Sequence, residues 1–408
     1  MDREVEYEPV SVKELLAEMK DTAELLIDLS YSAVLLRSED VAEEVLALEE
    51  RMDVLQLRAR MSLLMSARST EDAEALAPVL GVVGAAEKIS DAAGDIAKVV
   101  LEEVGLPDAM RAALPESVET LVRATVGPDS RMAGLRLLDI NLETETGVRV
   151  IAIRRGGDWL LNPDRDTTLE AGDVTLLRGP DEGIATVVEA LTGRTYERPK
   201  PPEAAIADLE RAIDSIVLMK DISELAVDLA YGAVLFDSDA LAEEVLELEA
   251  EVDALQSRFE AWTLQAAADV DEPVTLRGLM HIAAATEVIS DAALEISEGV
   301  LRGLGTHPVI EEAVLESDEV IVRYEVASGA ALDGATLGEE MVKTETGMRV
   351  IAVHRGDLER HATPTGKEPD EWAVSPGPRT ELYAGDTLIA KGTRAGGERL
   401  ATLTVDSE

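Results

Sequence analysis

The sequence predicts a multidomain chain of class α plus α+β, in which two three-helix bundles alternate with two small α+β domains. Three observations predict it. TETGVRVIAIRR at 144–155 returns as TETGMRVIAVHR at 344–355. Apolar residues recur at helical spacing in the first part of each copy, and at strand spacing in the second.

The repeat is long and holds one offset. MKD at 19–21 returns at 219–221, and DLSYSAVL at 28–35 returns as DLAYGAVL at 228–235. AEEVLALE at 42–49 returns as AEEVLELE at 242–249, and ISDAA at 89–93 returns at 289–293. The period of 200 residues is far too long for a solenoid, so this is an internal tandem duplication.

The helical part carries three apolar stripes. Leu16, Met19, Ala23, Leu26, Ser30 and Val34 form the first. Val45, Leu48, Met52 and Leu55 form the second, and Ile89, Ala92, Ala93, Ile96, Val99 and Val100 the third. Breaks fall near Arg37–Glu39 and Ser66–Glu71, and Gly105-Leu106-Pro107 is a stop signal. Short turns between long helices imply an antiparallel three-helix bundle.

The second part reads as a strand over 118–127, a short helix within 134–147 and an apolar strand over 148–156. Gly156-Gly157 suits a tight turn into DWLLNP at 158–163. A turn and strand over 167–180 and a closing helix over 181–193 complete the α+β unit. YERPKPPE, with three prolines, reads as a linker. The boundaries expected are 1–112, 113–195, a linker at 196–203, 204–312 and 313–408. The second copy lengthens the hairpin with DLERHATPTGKEPDE at 357–371.

Composition narrows the function. Acids number 83 and bases 37, a net charge of −46, spread over the whole chain. Such a surface repels itself at low salt and suits a salt-rich, halophilic cytoplasm, where the Debye length falls to about 3 Å near 1 M. Nucleic acid and anionic membrane are poor partners for it. The acidic start, MDREVEYEPV, lacks the apolar core of a secretory signal, and no apolar run is long enough to span a membrane. With no cysteine there is neither disulfide nor thiolate chemistry, and a cytoplasmic setting is expected.

AGLRLLDINLETETGVRVIAIRRGGDWLLNPDRDTTLEAGDVTLLRGP at 133–180 resembles the TrkA-C domain, the C-terminal domain of regulators of K+ conductance. The second copy keeps TETGMRVIAVHRG and ELYAGDTLIAKG. VLALEERMDVLQ at 45–56 and AAEKISDAAGDIAKVV at 85–100, with their counterparts at 245–256 and 285–300, resemble the PhoU family, whose members hold two such repeats. Together they resemble haloarchaeal regulators of potassium transport. The resemblance implies regulation: a partner that is a membrane K+ channel or cation transporter subunit, and a small-molecule or ion ligand. The Rossmann domain that usually precedes TrkA-C is not expected, because no GxGxxG follows a strand. GVVGAAEK at 81–88 reads as a packing contact within a helix.

Acid pairs at i, i+4 lie on one helical face and suit a hard divalent cation. Those repeated in both copies are Glu24/Asp28, Glu49/Asp53 and Glu87/Asp91, with Glu224/Asp228, Glu249/Asp253 and Glu287/Asp291. PhoU proteins carry similar E(D)xxxD motifs that bind metal. The other reading is a solvated acidic face, which so acidic a chain produces by chance. Arg149 and Arg349 lie within the repeated strand and suit an anionic ligand, or an edge-strand pairing with a nearby acid. In TrkA-C relatives cyclic di-AMP sits where two domains meet. The resemblance carries this to Asn141–Val150 and Met341–Val350: Asn141, Arg149 and Val150 in one copy, and Met341, Lys343, Arg349 and Val350 in the other. Glu143 stands where Lys343 stands in the second copy, so the copies differ in charge there.

Of the four histidines, His281, His307, His354 and His361, none falls in a triad or metal pattern. No nucleophile, base and oxyanion set is assembled, so no enzyme is expected. Two copies of each domain suit an intrachain pseudo-dimer or a homodimer that senses a ligand at paired TrkA-C domains. The alternative is a PhoU-like metal-binding regulator of phosphate signalling.

Overall fold

The computed structural model describes residues 11–405, apart from 67, 108–119, 141, 143–145, 157, 162, 164, 180, 197–205, 305–306, 318 and 356–371. Asn141, Glu143, most of the linker, His361 and the inserted hairpin therefore lie outside the described residues.

Each copy opens with long helices. In the first, α1 is Val12–Leu36, α2 is Glu39–Ser66, the short α3 is Thr70–Ala75 and α4 is Ala77–Leu101. Every residue of the three apolar stripes is buried. The α1–α2 turn needs only two residues. Arg37 adopts the left-handed conformation (φ 48°) and its N–H caps Ala33 and Val34. Ser38 Oγ then accepts the Val41 N–H at 3.3 Å, starting α2. The acidic break near 66–71 becomes α3, whose first turn is capped by Ser69.

The first sheet has strands β1 (Thr120–Thr125), β2 (Arg149–Arg155), β3 (Asp158–Leu161) and β4 (Val174–Gly179), with α5 (Leu137–Ile140) before β2 and α6 (Asp181–Thr192) after β4. All pairings are antiparallel and the order is β1-β4-β2-β3. The second copy repeats the plan. Its helices are α7 (Ala207–Phe236), α8 (Asp239–Ala266), α9 (Arg277–Leu301) and α10 (Pro308–Glu316). Its sheet, of order β5-β8-β6-β7, has β5 (Glu319–Glu325), β6 (Arg349–His354), β7 (Trp372–Val374) and β8 (Thr387–Thr393). The short α11 (Val342–Thr346) precedes β6, and α12 (Arg394–Thr404) closes the copy.

The twice-written TETG phrase is a structural joint. Thr146 Oγ1 donates to Leu142 O at 2.7 Å and accepts from Val148 N at 3.3 Å. Gly147 then turns the chain at φ 70°, a region that favours glycine, and Gly347 does the same at φ 72°. The incoming helix presses on this joint: a Cβ on Gly396, at the start of α12, would lie 2.5 Å from Thr346 O.

A bulge between Val150 and Ala152 then directs two consecutive residues, Ile151 and Ala152, into the helical core. Val150 and Ile153 face the other way, onto α6. The second sheet repeats the bulge between Val350 and Ala352. Each sheet is thus covered on one side by its own helix and on the other by the long helices.

The two bundles share one core. Buried residues of both copies, with Ile151, Ile351, Leu176 and Ile389 from the sheets, form a continuous apolar cluster. α4 and α9 pack antiparallel, with Pro78 against Gly299 at one end and Val99 against Gly278 at the other. The Gly278 N–H donates to Gly105 O at 2.9 Å across the copies. Tyr31 Oη and Thr286 Oγ1, 2.6 Å apart, tie α1 to α9. The chain therefore pairs its own halves.

Because the Gly396 site has no room for a methyl, Gly396→Ala is expected to cost about 1–3 kcal/mol. Urea unfolding followed by tryptophan fluorescence, to which Trp372, 5% exposed in the second sheet, contributes, measures it.

Candidate functional site

Two matching stripes meet the sheets. Lys20, Glu24 and Asp28 on α1, and Lys220, Glu224 and Asp228 on α7, fall at i, i+4 and i+8, on one face of each helix. The sheets bring cations in cross-strand pairs: Arg149 is opposite Arg178, and Arg349 opposite Lys391. The repeated strands are inner strands, so Arg149 and Arg349 are not on an edge.

Lys391 is the hub. Its Nζ lies 2.6 Å from Asp228, 3.1 Å from Glu24 and 3.4 Å from Glu319. It therefore joins a strand of the second copy to the long helices of both. Arg349 pairs with Asp228, Arg178 with Asp28 at 2.8 Å and Arg149 with Glu319 at 2.6 Å. The last pair links the two sheets. Lys20 reaches Glu24 at 2.8 Å and Ser317 Oγ at 2.9 Å, and Lys220 reaches Glu224 at 2.6 Å. Each lysine also stands over the other copy's tyrosine: Lys20 is 5.4 Å from the Tyr231 ring centre and Lys220 5.7 Å from that of Tyr31.

Burial and pairing compete here. Burial alone would raise the carboxyls of Asp228 and Glu319. Lys391 and Arg349 more than offset it at Asp228, which lies below the ordinary carboxylate value. Lys391, Arg149 and Arg178 hold Glu319 well below it. Burial opposes the charge on Lys391, yet Asp228, Glu24 and Glu319 hold its ammonium well above the usual lysine value. Asp28 is the exception: burial pushes it up and Arg178 offsets this only in part.

The remaining acid pairs face one another within each copy. Glu49 and Asp53 on α2 meet Glu87 and Asp91 on α4, and Glu249 and Asp253 on α8 meet Glu287 and Asp291 on α9. Burial raises Glu49, Asp91, Glu249, Glu287 and Asp291, and neighbouring carboxylates raise them further. In the first copy cations temper the crowding: Lys98 is 3.6 Å from Glu49 and Arg60 3.2 Å from Glu87.

The donors suit a hard cation in kind. Among the described residues, however, no group of three His, Cys, Asp or Glu is arranged to hold a metal ion. Asp53 is the partner of Glu49 in the expected pair. It is exposed on α2, and it acts on Glu49 and Asp91 as a like charge that raises both. Asp91, Asp253 and Asp291 are exposed as well, so one member of each of these pairs faces solvent. Glu24/Asp28 and Glu224/Asp228 are occupied by the cations of the network.

The segments expected to hold an anionic ligand separate. Val150 and Val350 sit in different apolar clusters, each on the far side of its own sheet. Met341 is exposed at the start of α11, which carries Lys343, and Asn141 lies outside the described residues. Arg149 and Arg349 reach the shared centre, where each guanidinium meets a carboxylate. Sequence reasoning missed Lys20, Lys220, Arg178, Glu319 and Lys391. The repeated K-x₃-E-x₃-D stripe was visible, but only strand register places Lys391 over it.

Comparisons with known proteins agree with this architecture. The PhoU domain model matches residues 16–100 and 216–300, and the TrkA-C domain model matches 121–192 and 321–404. The chain belongs with proteins built from PhoU and TrkA-C domains, and carries each of them twice. It is 37% identical over 62 residues to the Ktr system potassium uptake protein A of Vibrio alginolyticus. That stretch covers 15% of this chain and 28% of that protein. Among solved structures, PhoU from Pseudomonas aeruginosa is 11% identical, with 72% of this chain and 96% of that chain covered and a TM-score of 0.40. The GsuK RCK domain is 14% identical, with 71% and 64% covered and a TM-score of 0.19. These structural likenesses are too slight to support a functional statement. No helix among the described residues is long and apolar enough to cross a membrane.

Replacing Lys391 by Met would remove the cation shared by Asp228, Glu24 and Glu319, leaving them Arg349, Lys20 and Arg149, at an expected cost of about 3–5 kcal/mol in denaturant unfolding. Asp228 and Glu319 titrate lower folded than unfolded. Their contribution is therefore full above the unfolded value, about 4, and is lost as pH falls through the folded values. Acid unfolding monitored by circular dichroism should accordingly begin below about pH 4, and begin at higher pH in Lys391→Met.

Proposed function

We propose that the protein is a cytoplasmic, non-catalytic regulator of potassium or other cation transport, acting on a membrane channel or transporter subunit. One observation carries this reading. A TrkA-C strand lysine, Lys391, is bound to the helices of both PhoU-like halves, so a displaced sheet pulls on the whole helical body. The local identity to a potassium uptake protein supports the choice of cargo.

In this mechanism a small ligand or ion binds the TrkA-C domains and favours one position of the sheets over another. Arg178, Arg349 and Lys391 transmit the change to α1 and α7, because a buried ion pair tolerates little stretching before its desolvation cost is exposed. The packed helices then alter the surface shown to the transporter. Cyclic di-AMP and a divalent cation are the ligands to be tried first. Deletion of the gene should alter K+ uptake across external K+ concentrations, and unchanged uptake would refute the reading. Thermal shift in multimolar KCl tests the ligands, since one present at 100 times its Kd should stabilise the protein by about 2.7 kcal/mol.

A second reading is a metal-binding regulator of phosphate signalling. The crowding of Glu249, Asp253, Glu287 and Asp291 favours it, because a bound cation would relieve their mutual repulsion. Under this reading, elemental analysis of the purified protein finds divalent metal that Glu287→Ala/Asp291→Ala, together with Glu87→Ala/Asp91→Ala, removes. Metal content surviving all four changes would rule those carboxylates out.

A further inference from the structure

The first copy fastens its sheet to its helices with a second clamp, away from the central network, and the second copy changes the residues at the matching positions. In the first copy Glu44 on α2 is 1% exposed. Arg154 on β2 approaches its Oε1 at 2.7 Å and Arg123 on β1 at 3.3 Å, while Arg123 also meets Asp40 at 3.3 Å. Both cations are guanidinium groups, which stay charged at any pH a cell meets.

The second copy keeps the carboxylate and changes the cations. Glu244, 7% exposed, takes the place of Glu44 on α8. Arg154 lies opposite Trp159 and Val174 in the first sheet, and His354 lies opposite Trp372 and Thr387 in the second, so His354 holds the matching position. Arg323 matches Arg123, but its guanidinium stands over the Phe236 ring, 6.0 Å from the centre, where the first copy has Leu36. Ala240 replaces Asp40. The His354 ring packs on Trp372, 5.2 Å between centres and tilted by 51°.

We propose that the second clamp is a proton-operated catch: protonated His354 secures Glu244 and holds the second TrkA-C sheet to α8, and loss of the proton loosens that sheet alone. Imidazole is the side chain that changes charge between about pH 5 and 8. The groups around it set the sign. By correspondence with the first copy, the charged groups of the neighbouring elements are Glu244 and Asp239 on α8, Arg323 on β5, already engaged with Phe236, and Asp237 in the α7–α8 turn. β7 and β8 present Trp372 and Thr387, which do not titrate in this range. A protonated imidazole carries the charge that Arg154 carries in the first copy, so acid closes the catch. The proposal holds whatever the transported ion, because it concerns only the attachment of one sheet.

Hydrogen–deuterium exchange on the full chain at pH 5.5 and pH 8 tests it, with the first copy as internal reference for the intrinsic pH dependence of exchange. Protection of β6–β7 relative to β2–β3 should fall at least about fivefold at pH 8, the equivalent of one modest ion pair. His354→Arg restores the first copy's cation and should leave the ratio flat. His354→Gln should hold it at the high-pH level throughout, and Glu244→Gln should remove the response from the carboxylate side. His307, whose Nδ1 caps α10 by accepting from Val309 N at 3.2 Å, is kept in every variant. A flat ratio in the unsubstituted protein, or a response that persists in His354→Arg, overturns the proposal.

Discussion

The architecture depends on one costly arrangement: a lysine ammonium with three carboxylates around it, largely shut off from water. Taking Lys391, Asp228, Glu24 and Glu319 out of solvent is unfavourable for each ion alone. It is tolerated because the partners come from different elements and arrive together. α1 supplies Glu24, α7 supplies Asp228, and the adjacent strands β5 and β8 supply Glu319 and Lys391. Such a site specifies one docking geometry, since a shifted sheet would leave a buried charge without its mate.

Duplication makes that geometry attainable within one chain. A homodimer would have to use the same residues twice, whereas the fused copies have drifted into complementary roles. Arg178 and Lys391 hold matching positions, but Arg178 pairs with Asp28 of its own copy, whereas Lys391 reaches carboxylates on the long helices of both copies. Tyr31 finds Thr286 across the interface, while the residue matching Thr286 is Ala86, so Tyr231 has no such partner there. The hub is therefore asymmetric even though the fold is twofold in plan.

The charge of the chain acts on two scales. Most of the net −46 is surface charge, and its repulsion is screened as salt rises. The central network is buried and screened far less. Salt therefore relaxes the exterior without dissolving the lock between sheet and helix.

Much of the fold was legible in the sequence because it is periodic. The stripes through Leu26, Met52 and Ile96 fix three helices, and the repeat fixes two copies of them. TETG was legible as a joint, because glycine after a capping threonine marks a helix exit. The acid pairs were legible only as pairs: spacing puts Glu24 and Asp28 on one face, and Glu49 and Asp53 on another, but does not say what either face meets. Tertiary structure decided that the first meets Arg178 and Lys391, residues some 150 positions or more away along the chain, while Asp53 stayed exposed. It also merged the two bundles into one core and separated Val150 from Val350. Local pattern records which side of an element is apolar. Register and docking record which charges are left to face each other, and those arise only when the elements are brought together.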